Sequence, residues 1–254
     1  ADWDMFHSDH PWGRYHALAR VISGGPVYVS DRPGDTDFAL LKQMVAADGQ
    51  LLRCNRPARP TREMLFRDAL ADGVALRAFN DSGAAGILGL FHPGLDQGKA
   101  RLCERVTATE IEGLEADARY VAFSTEEGFL GVVRGDQAIE TTLQSRGAVL
   151  LFFVPLESAV AAVGLVDKLN PPAAVLGTGF ERGSDRTLWR AHLRGGGRFG
   201  FFTERQVASV ALNGDALDPV AAREGWFEFD TGAEPECMFE VRLSPDKGKF
   251  HQKA

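Results

Sequence analysis

Val74-Ala75-Leu76-Arg77-Ala78-Phe79 is where the apolar pattern of this chain changes period, and the change divides the sequence in two. From here apolar residues recur with a period of two, as in strands that stand on a core. The signature returns at Ile87-Leu88-Gly89-Leu90-Phe91, Tyr120-Val121-Ala122-Phe123 and Val149-Leu150-Leu151-Phe152-Phe153-Val154. It continues at 188–193, 198–203, 207–212, 226–230 and 238–243, each stretch short and bounded by Gly, Asn, Asp or Pro. Short strands separated by turn signals predict an antiparallel β-sandwich over residues 73–254. Gly195-Gly196-Gly197-Arg198-Phe199-Gly200 lies between two of these strands and reads as a hairpin rather than a phosphate loop.

Upstream of residue 73 the pattern is different. Trp12, Tyr15, His16, Ala19 and Arg20 recur at helical spacing, Pro11 suits a first turn, and Ser23-Gly24-Gly25 ends the helix. Pro26-Val27-Tyr28-Val29-Ser30 predicts a short buried strand and Asp31-Arg32-Pro33-Gly34 a turn. Asp37 is placed to cap a helix over 38–45. Helix, strand, loop and helix in that order are a unit of a parallel α/β fold. In a β/α barrel the loop after the strand faces the active site, so chemistry is expected at Asp31. The five arginines from Arg53 to Arg67, interrupted by Pro57 and Pro60, read as a connector making interdomain salt bridges.

The first ten residues, Ala1-Asp2-Trp3-Asp4-Met5-Phe6-His7-Ser8-Asp9-His10, combine three carboxylates, two imidazoles and two large aromatics. That is the composition of an active site rather than of a leader. A domain opening here would expose Trp3 and Phe6, whereas a segment from the middle of a fold would bury them. The chain is therefore expected to be the C-terminal part of a longer enzyme, with the N-terminal part of the same protein as its missing partner.

Bulk properties narrow the classes. Across 254 residues, 35 acidic side chains against 28 basic ones give a formal charge of −7. That balance argues against a nucleic-acid binder or an anionic-membrane binder, since either needs a positive surface to displace counterions. No apolar run is long enough to span a membrane. Cys54, Cys103 and Cys237 are too far apart for a disulfide framework or a thiolate zinc site, which favours a reducing, cytoplasmic setting.

The front of the chain resembles a known family. Asp2-Trp3-Asp4-Met5-Phe6, Tyr15-His16-Ala17-Leu18-Ala19-Arg20 and Gly24-Gly25-Pro26-Val27-Tyr28-Val29-Ser30-Asp31-Arg32-Pro33-Gly34 are similar to the raffinose synthase and seed-imbibition-type alkaline α-galactosidases of glycoside hydrolase family 36. The likeness runs through Leu51-Leu52-Arg53, Arg59-Pro60-Thr61-Arg62 and Leu65-Phe66, and returns at Val163-Gly164-Leu165-Val166-Asp167-Lys168-Leu169-Asn170. It implies the C-terminal part of a (β/α)8 barrel over residues 1–72, followed by the sandwich. The implied chemistry is that of a retaining α-galactoside enzyme without a cofactor. One carboxylate attacks the anomeric carbon of galactinol or a raffinose-family oligosaccharide, a second protonates the leaving oxygen, and water or sucrose resolves the glycosyl-enzyme. The family's nucleophile lies in a Lys-x-Asp strand end and its acid/base in an Arg-x-x-x-Asp segment, both ahead of Asp-Trp-Asp-Met. This chain has no Lys-x-Asp, and its Arg-x-x-x-Asp spacings, Arg77 to Asp81 and Arg242 to Asp246, fall in the expected sandwich. No catalytic residue is therefore assigned to this chain.

The substrate-binding candidates are Asp4 and Met5, because related barrels carry an Asp-Met step against the sugar, together with Asp31 at the mouth. Against each stands a plainer role: a loop-capping Asp, a core Met, an Asx turn. Asp2, on the same face as Asp4 in an extended segment, and His16 are supporting candidates. His7, Asp9, His10 and His16 could gather a metal, but they match no established ligand spacing, so none is expected. A second hypothesis is a free-standing carbohydrate-binding or interaction module, which would need an exposed aromatic platform at Trp189 or Trp226.

Overall fold

The computed structural model describes residues 5–94, 101–182 and 187–244. The helices are α1 (Gly13–Ser23), α2 (Phe38–Lys42) and α3 (Ala69–Asp72), all in the first third of the chain. In chain order the first strands are β1 (Arg59–Pro60), β2 (Leu76–Ser82), β3 (Ala85–Phe91), β4 (Arg101–Val106), β5 (Arg119–Ser124), β6 (Gly128–Arg134), β7 (Ile139–Gln144) and β8 (Ala148–Pro155). They are followed by β9 (Val160–Leu165), β10 (Val175–Arg182), β11 (Thr187–Arg194), β12 (Arg198–Thr203), β13 (Val207–Leu212), β14 (Asp215–Leu217), β15 (Trp226–Asp230) and β16 (Glu236–Leu243). The described chain is thus mostly β-sheet with few helices. Its sheets run β1-β2-β3-β8-β5-β6, β10-β11-β16-β13-β14, β15-β12-β9 and β4-β7, and every strand pairing is antiparallel.

The six-stranded sheet is a middle layer, and the sequence pattern says why. Along β8, Leu150, Phe152 and Val154 enter one core while Val149, Leu151 and Phe153 enter another. Val121 and Phe123 of β5 likewise join the first core, and Tyr120 and Ala122 the second. A strand buried on both faces reads as an unbroken apolar run, which is what 149–154 is. One core is closed by β4 and β7 through Leu102, Val106 and Leu143, the other by α1 through Ala17, Leu18, Val21 and Ile22. Phe202 and Trp226, from β12 and β15, complete that second closure.

Farther along the chain the strands alternate instead. Trp189, Ala191 and Leu193 of β11 and Phe239 and Val241 of β16 share a core with Phe199, Phe201 and Phe227 of the three-stranded sheet. Their outward neighbours pair across the strands: Arg190 with Glu240 as an ion pair at 2.7 Å, and His192 with Glu236 by a hydrogen bond at 2.9 Å. One dry face and one wet face is the ordinary state of an antiparallel sheet.

Several expectations need correction. Residues 26–30 form no strand: Pro26, Tyr28 and Val29 face solvent, and the segment is held at Ser30, whose N–H donates to Phe6 O at 2.7 Å. The residue types favour an extended backbone, but a strand also requires a neighbour offering a row of partners. Helix α2 stops at Lys42, and Val45 instead bridges to Leu51. The glycine run after β11 is not a hairpin, because β11 and β12 lie in different sheets and the run carries the chain between them. Trp189 and Trp226 are each 2% exposed and form no platform. Trp226 stacks on Phe129 with centroids 4.7 Å apart.

The predicted helix over 11–22 is α1, and its end shows the value of Gly24. This residue sits at φ +70°, and a Cβ there would stand 1.9 Å from Arg56 O. Beside it the buried Asn80 amide donates to Ile22 O at 2.7 Å and to Arg56 O at 2.6 Å, tying the helix end to β2. The arginine-rich connector is pinned by Arg56–Asp81 and Arg59–Glu112, each at 2.7 Å. No helix among the described residues is long and apolar enough to cross a membrane. Cys54 and Cys237 are buried, and burial pushes the Cys54 thiol up to about 12.

Candidate functional site

The corner around Ser8 and Asp31 gathers the chemistry of the front segment. Residues 7–10 turn tightly, with Gly13 N donating to His10 O at 2.6 Å, so that α1 starts directly above Ser8. A Cβ at Gly13 would lie 2.3 Å from Ser8 O, which is why the helix opens on glycine. Ser8 is buried and donates twice to Asp31, from its N–H to Oδ1 at 2.7 Å and from its hydroxyl to Oδ2 at 2.6 Å. Its hydroxyl oxygen in turn accepts from Asp37 N at 2.8 Å, and Asp37 Oδ1 caps α2 by accepting from Leu40 N at 3.0 Å. One serine thus joins the opening loop, the 31–36 turn and the start of α2.

Electrostatics follow from these contacts. Burial pushes the Asp31 carboxyl upward, but the two Ser8 hydrogen bonds, one from Thr36 and the nearby His7 more than offset it. The carboxyl is held below its ordinary range and is an ionised acceptor at neutral pH. His16 is half-buried on α1, its ring centroid 6.3 Å from that of His10. Burial first, then the positive charge of Arg20 and the neighbouring His10 and His7, lower its pKa, so it is neutral at pH 7. Phe6 is wholly buried beneath the Arg20 guanidinium, 4.8 Å from the ring centroid.

The structure places the sequence candidates unequally. Asp31 lies within the corner, with His7 and Asp9 close enough that one ligand atom of each falls within 4.8 Å of the others. Both Asp31 oxygens already accept from Ser8, so a cation would compete with those bonds. Met5 stands at the start of the loop, 55% exposed. Asp2 and Asp4 lie outside the described residues. His16 belongs to the helix face next to His10, apart from the bonds that fix Asp31. Sequence reasoning missed Ser8, whose neighbours His7 and Asp9 drew the attention. The available signal was a lone small hydroxyl residue at a turn, the type that satisfies loop backbone groups.

A second polar cluster lies under the sheet edge. Arg77 of β2 is 11% exposed and bonds Glu104 at 2.5 Å, Glu110 at 2.8 Å and Glu63 at 3.0 Å. Burial and then Arg77 act in opposite senses on Glu110, and burial prevails, raising its pKa. The fourth residue after Arg77, Asp81, pairs with Arg56 instead, so the Arg-x-x-x-Asp spacing here is not a functional pair.

Comparisons with known proteins point in one direction. The family model for raffinose synthase or seed imbibition protein Sip1 matches residues 1–105. Probable galactinol–sucrose galactosyltransferase 6 of Arabidopsis thaliana is 32% identical over 98% of this chain and 36% of its own length. The galactinol–sucrose galactosyltransferase of Pisum sativum is 32% identical over 85% of this chain and 30% of its own. Probable galactinol–sucrose galactosyltransferase 5 of Arabidopsis thaliana reaches 49% identity over 36% of this chain and 12% of its own. The chain spans about a third of the length of the curated relatives it matches. A solved α-galactosidase from Saccharomyces cerevisiae with raffinose is similar at TM-score 0.39 and 10% identity, over 60% of this chain and 45% of that one, too slight a likeness to argue from. On the matched front and the similarity that runs beyond it, this chain groups with the raffinose synthase and seed imbibition proteins, a grouping that fits glycoside hydrolase family 36.

Proposed function

We propose that this chain is the C-terminal portion of a longer retaining α-galactoside enzyme. In this reading residues 1–72 complete a β/α barrel, residues 73–254 form its β-sandwich, and both reacting carboxylates lie upstream. The observation that carries the reading is the apolar surface of the front segment: Met5 is 55% exposed, Tyr28 55%, Phe38 66% and Phe66 98%. Residues 26–30, extended and without a strand partner, suit an edge that another strand would cover. The absence of Lys-x-Asp from the sequence points the same way.

The upstream nucleophile would displace the leaving group from the anomeric carbon while the upstream acid protonates its oxygen. Asp31, ionised and fixed by Ser8, would accept hydrogen bonds from sugar hydroxyls, with Met5 packed on the ring. Asp4 would bind the sugar beside them, and Asp2 and His16 would brace this wall. The curated relatives named as galactinol–sucrose galactosyltransferases favour transfer to sucrose over hydrolysis. Incubating residues 1–254 with galactinol and sucrose should yield no galactosyl transfer and no free galactose. Restoring the upstream coding sequence should yield transfer, and Asp31→Ala in that longer protein should lower kcat/KM at least about tenfold, the loss of one charged hydrogen-bond partner. Turnover by residues 1–254 alone overturns the assignment of the acids upstream.

A further inference from the structure

A groove of about 810 Å³ opens between residues 59–65 and 105–114, at the β1 edge of the six-stranded sheet. It shares no residue with the Ser8–Asp31 corner, and its size falls in the range of small-molecule sites, roughly 300 to 1,000 Å³. We propose that it is a binding site for a neutral oligosaccharide, separate from the reacting centre.

Charge argues for neutrality. Arg59, Arg62 and Arg105 line the groove against Glu63, Glu110, Glu112 and Asp136, three positive groups facing four negative ones. An anion would meet more like charge than unlike, and a cation gains only one net charge. A polyol, which donates and accepts through every hydroxyl, matches such an interleaved wall.

The wall is also preorganised. Arg59 pairs with Glu112 at 2.7 Å, and its guanidinium lies over the Phe79 ring at 4.8 Å. Both partners of that pair stay about half exposed, so each has hydrogen-bonding capacity left for a ligand. Glu63 and Glu110 are fixed from below by Arg77, at 3.0 and 2.8 Å. Polar groups already held in place lose little freedom on binding. Between them Leu65 and Leu114 offer apolar surface for the C–H face of a sugar ring. Thr61, also in the lining, has a buried hydroxyl with no hydrogen-bond partner. Such groups are rare in folded proteins, and a ligand hydroxyl would complete this one once a small shift of the groove wall uncovers it.

The test is a titration of isotope-labelled residues 1–254 with sucrose, and separately with inorganic phosphate, followed by amide chemical shifts. Sucrose should move the amides of 59–65 and 107–114 along saturable curves in the millimolar range. Glu112→Gln should weaken that binding severalfold with an unchanged unfolding midpoint. Thr61→Val should weaken it without destabilising the free protein. Shifts by phosphate with sucrose silent would make this an anion site and overturn the proposal. Sucrose shifts confined to residues 5–37, or scattered evenly over the surface, would overturn it as well. None of these outcomes depends on the galactosyl chemistry proposed above.

Discussion

Ser8 makes three bonds to Asp31 and Asp37 with one backbone N–H and one hydroxyl, and removal of the hydroxyl breaks two of them. Ser8→Ala leaves Asp31 Oδ2 and Asp37 N without their bonds. A partner lost in a part-buried site costs about 1 to 3 kcal/mol, and denaturant unfolding should report a fall in that range. The charge on Asp31 adds a pH signature. Its folded pKa lies below the unfolded value near 3.8, so its contribution is complete above that value and fades as pH falls through the folded pKa. Asp31→Asn should therefore remove part of the acid-side slope of stability below about pH 4. His16 works at higher pH. Its folded pKa is lowered from 6.5, so the unfolded chain takes up the proton first and stability declines as pH drops below about 6.5. In His16→Gln the stability profile between about pH 5 and 7 should flatten relative to the parent. An unchanged profile would mean that the imidazole is not desolvated in the fold.

At the scale of elements, α1 is held at its end by backbone proximity more than by propensity. Gly24 combines φ +70° with a Cβ position 1.9 Å from a carbonyl oxygen, whereas Gly34, at φ +97°, has nothing within 4 Å. Gly34→Ala pays only the left-handed backbone penalty, about 1 kcal/mol. Gly24→Ala adds a clash with the Arg56 backbone and should cost on the order of 3 kcal/mol or more. Comparing the two midpoints separates strain from crowding, and equal losses would contradict the close approach. Strands and α1 were legible because their periodicity reports burial: 149–154 reads as a strand because it is buried twice, 188–193 because it is buried once. β4 and β7 carry a weaker signal, because polar residues fill their outer faces and Glu104, an inward residue of β4, is a carboxylate side chain. Residues 26–30 form no strand, since apolar residue types favour the backbone shape and say nothing of a neighbour to pair with. Ser8 and the groove were not legible, because each is assembled by residues far apart in sequence.

For the whole molecule, the decisive property is how unevenly apolar surface is covered. The sheets bury Phe152, Phe153, Phe199, Phe201 and Phe239 completely, while the front segment leaves Phe38 and Phe66 in water. Large apolar side chains left this exposed mark an interaction face or an aggregation liability where they form one patch. Residues 1–254 alone should then bind a hydrophobic dye and self-associate as concentration rises. The pair Phe38→Asp and Phe66→Asp should suppress both while leaving the midpoint of unfolding within about 0.5 kcal/mol, since neither ring is packed. In the longer protein the same pair should destabilise, because there each Asp would stand inside an apolar contact without a partner. If instead the pair is silent in both contexts, those rings face solvent throughout, and the front segment is not the wall of a larger barrel.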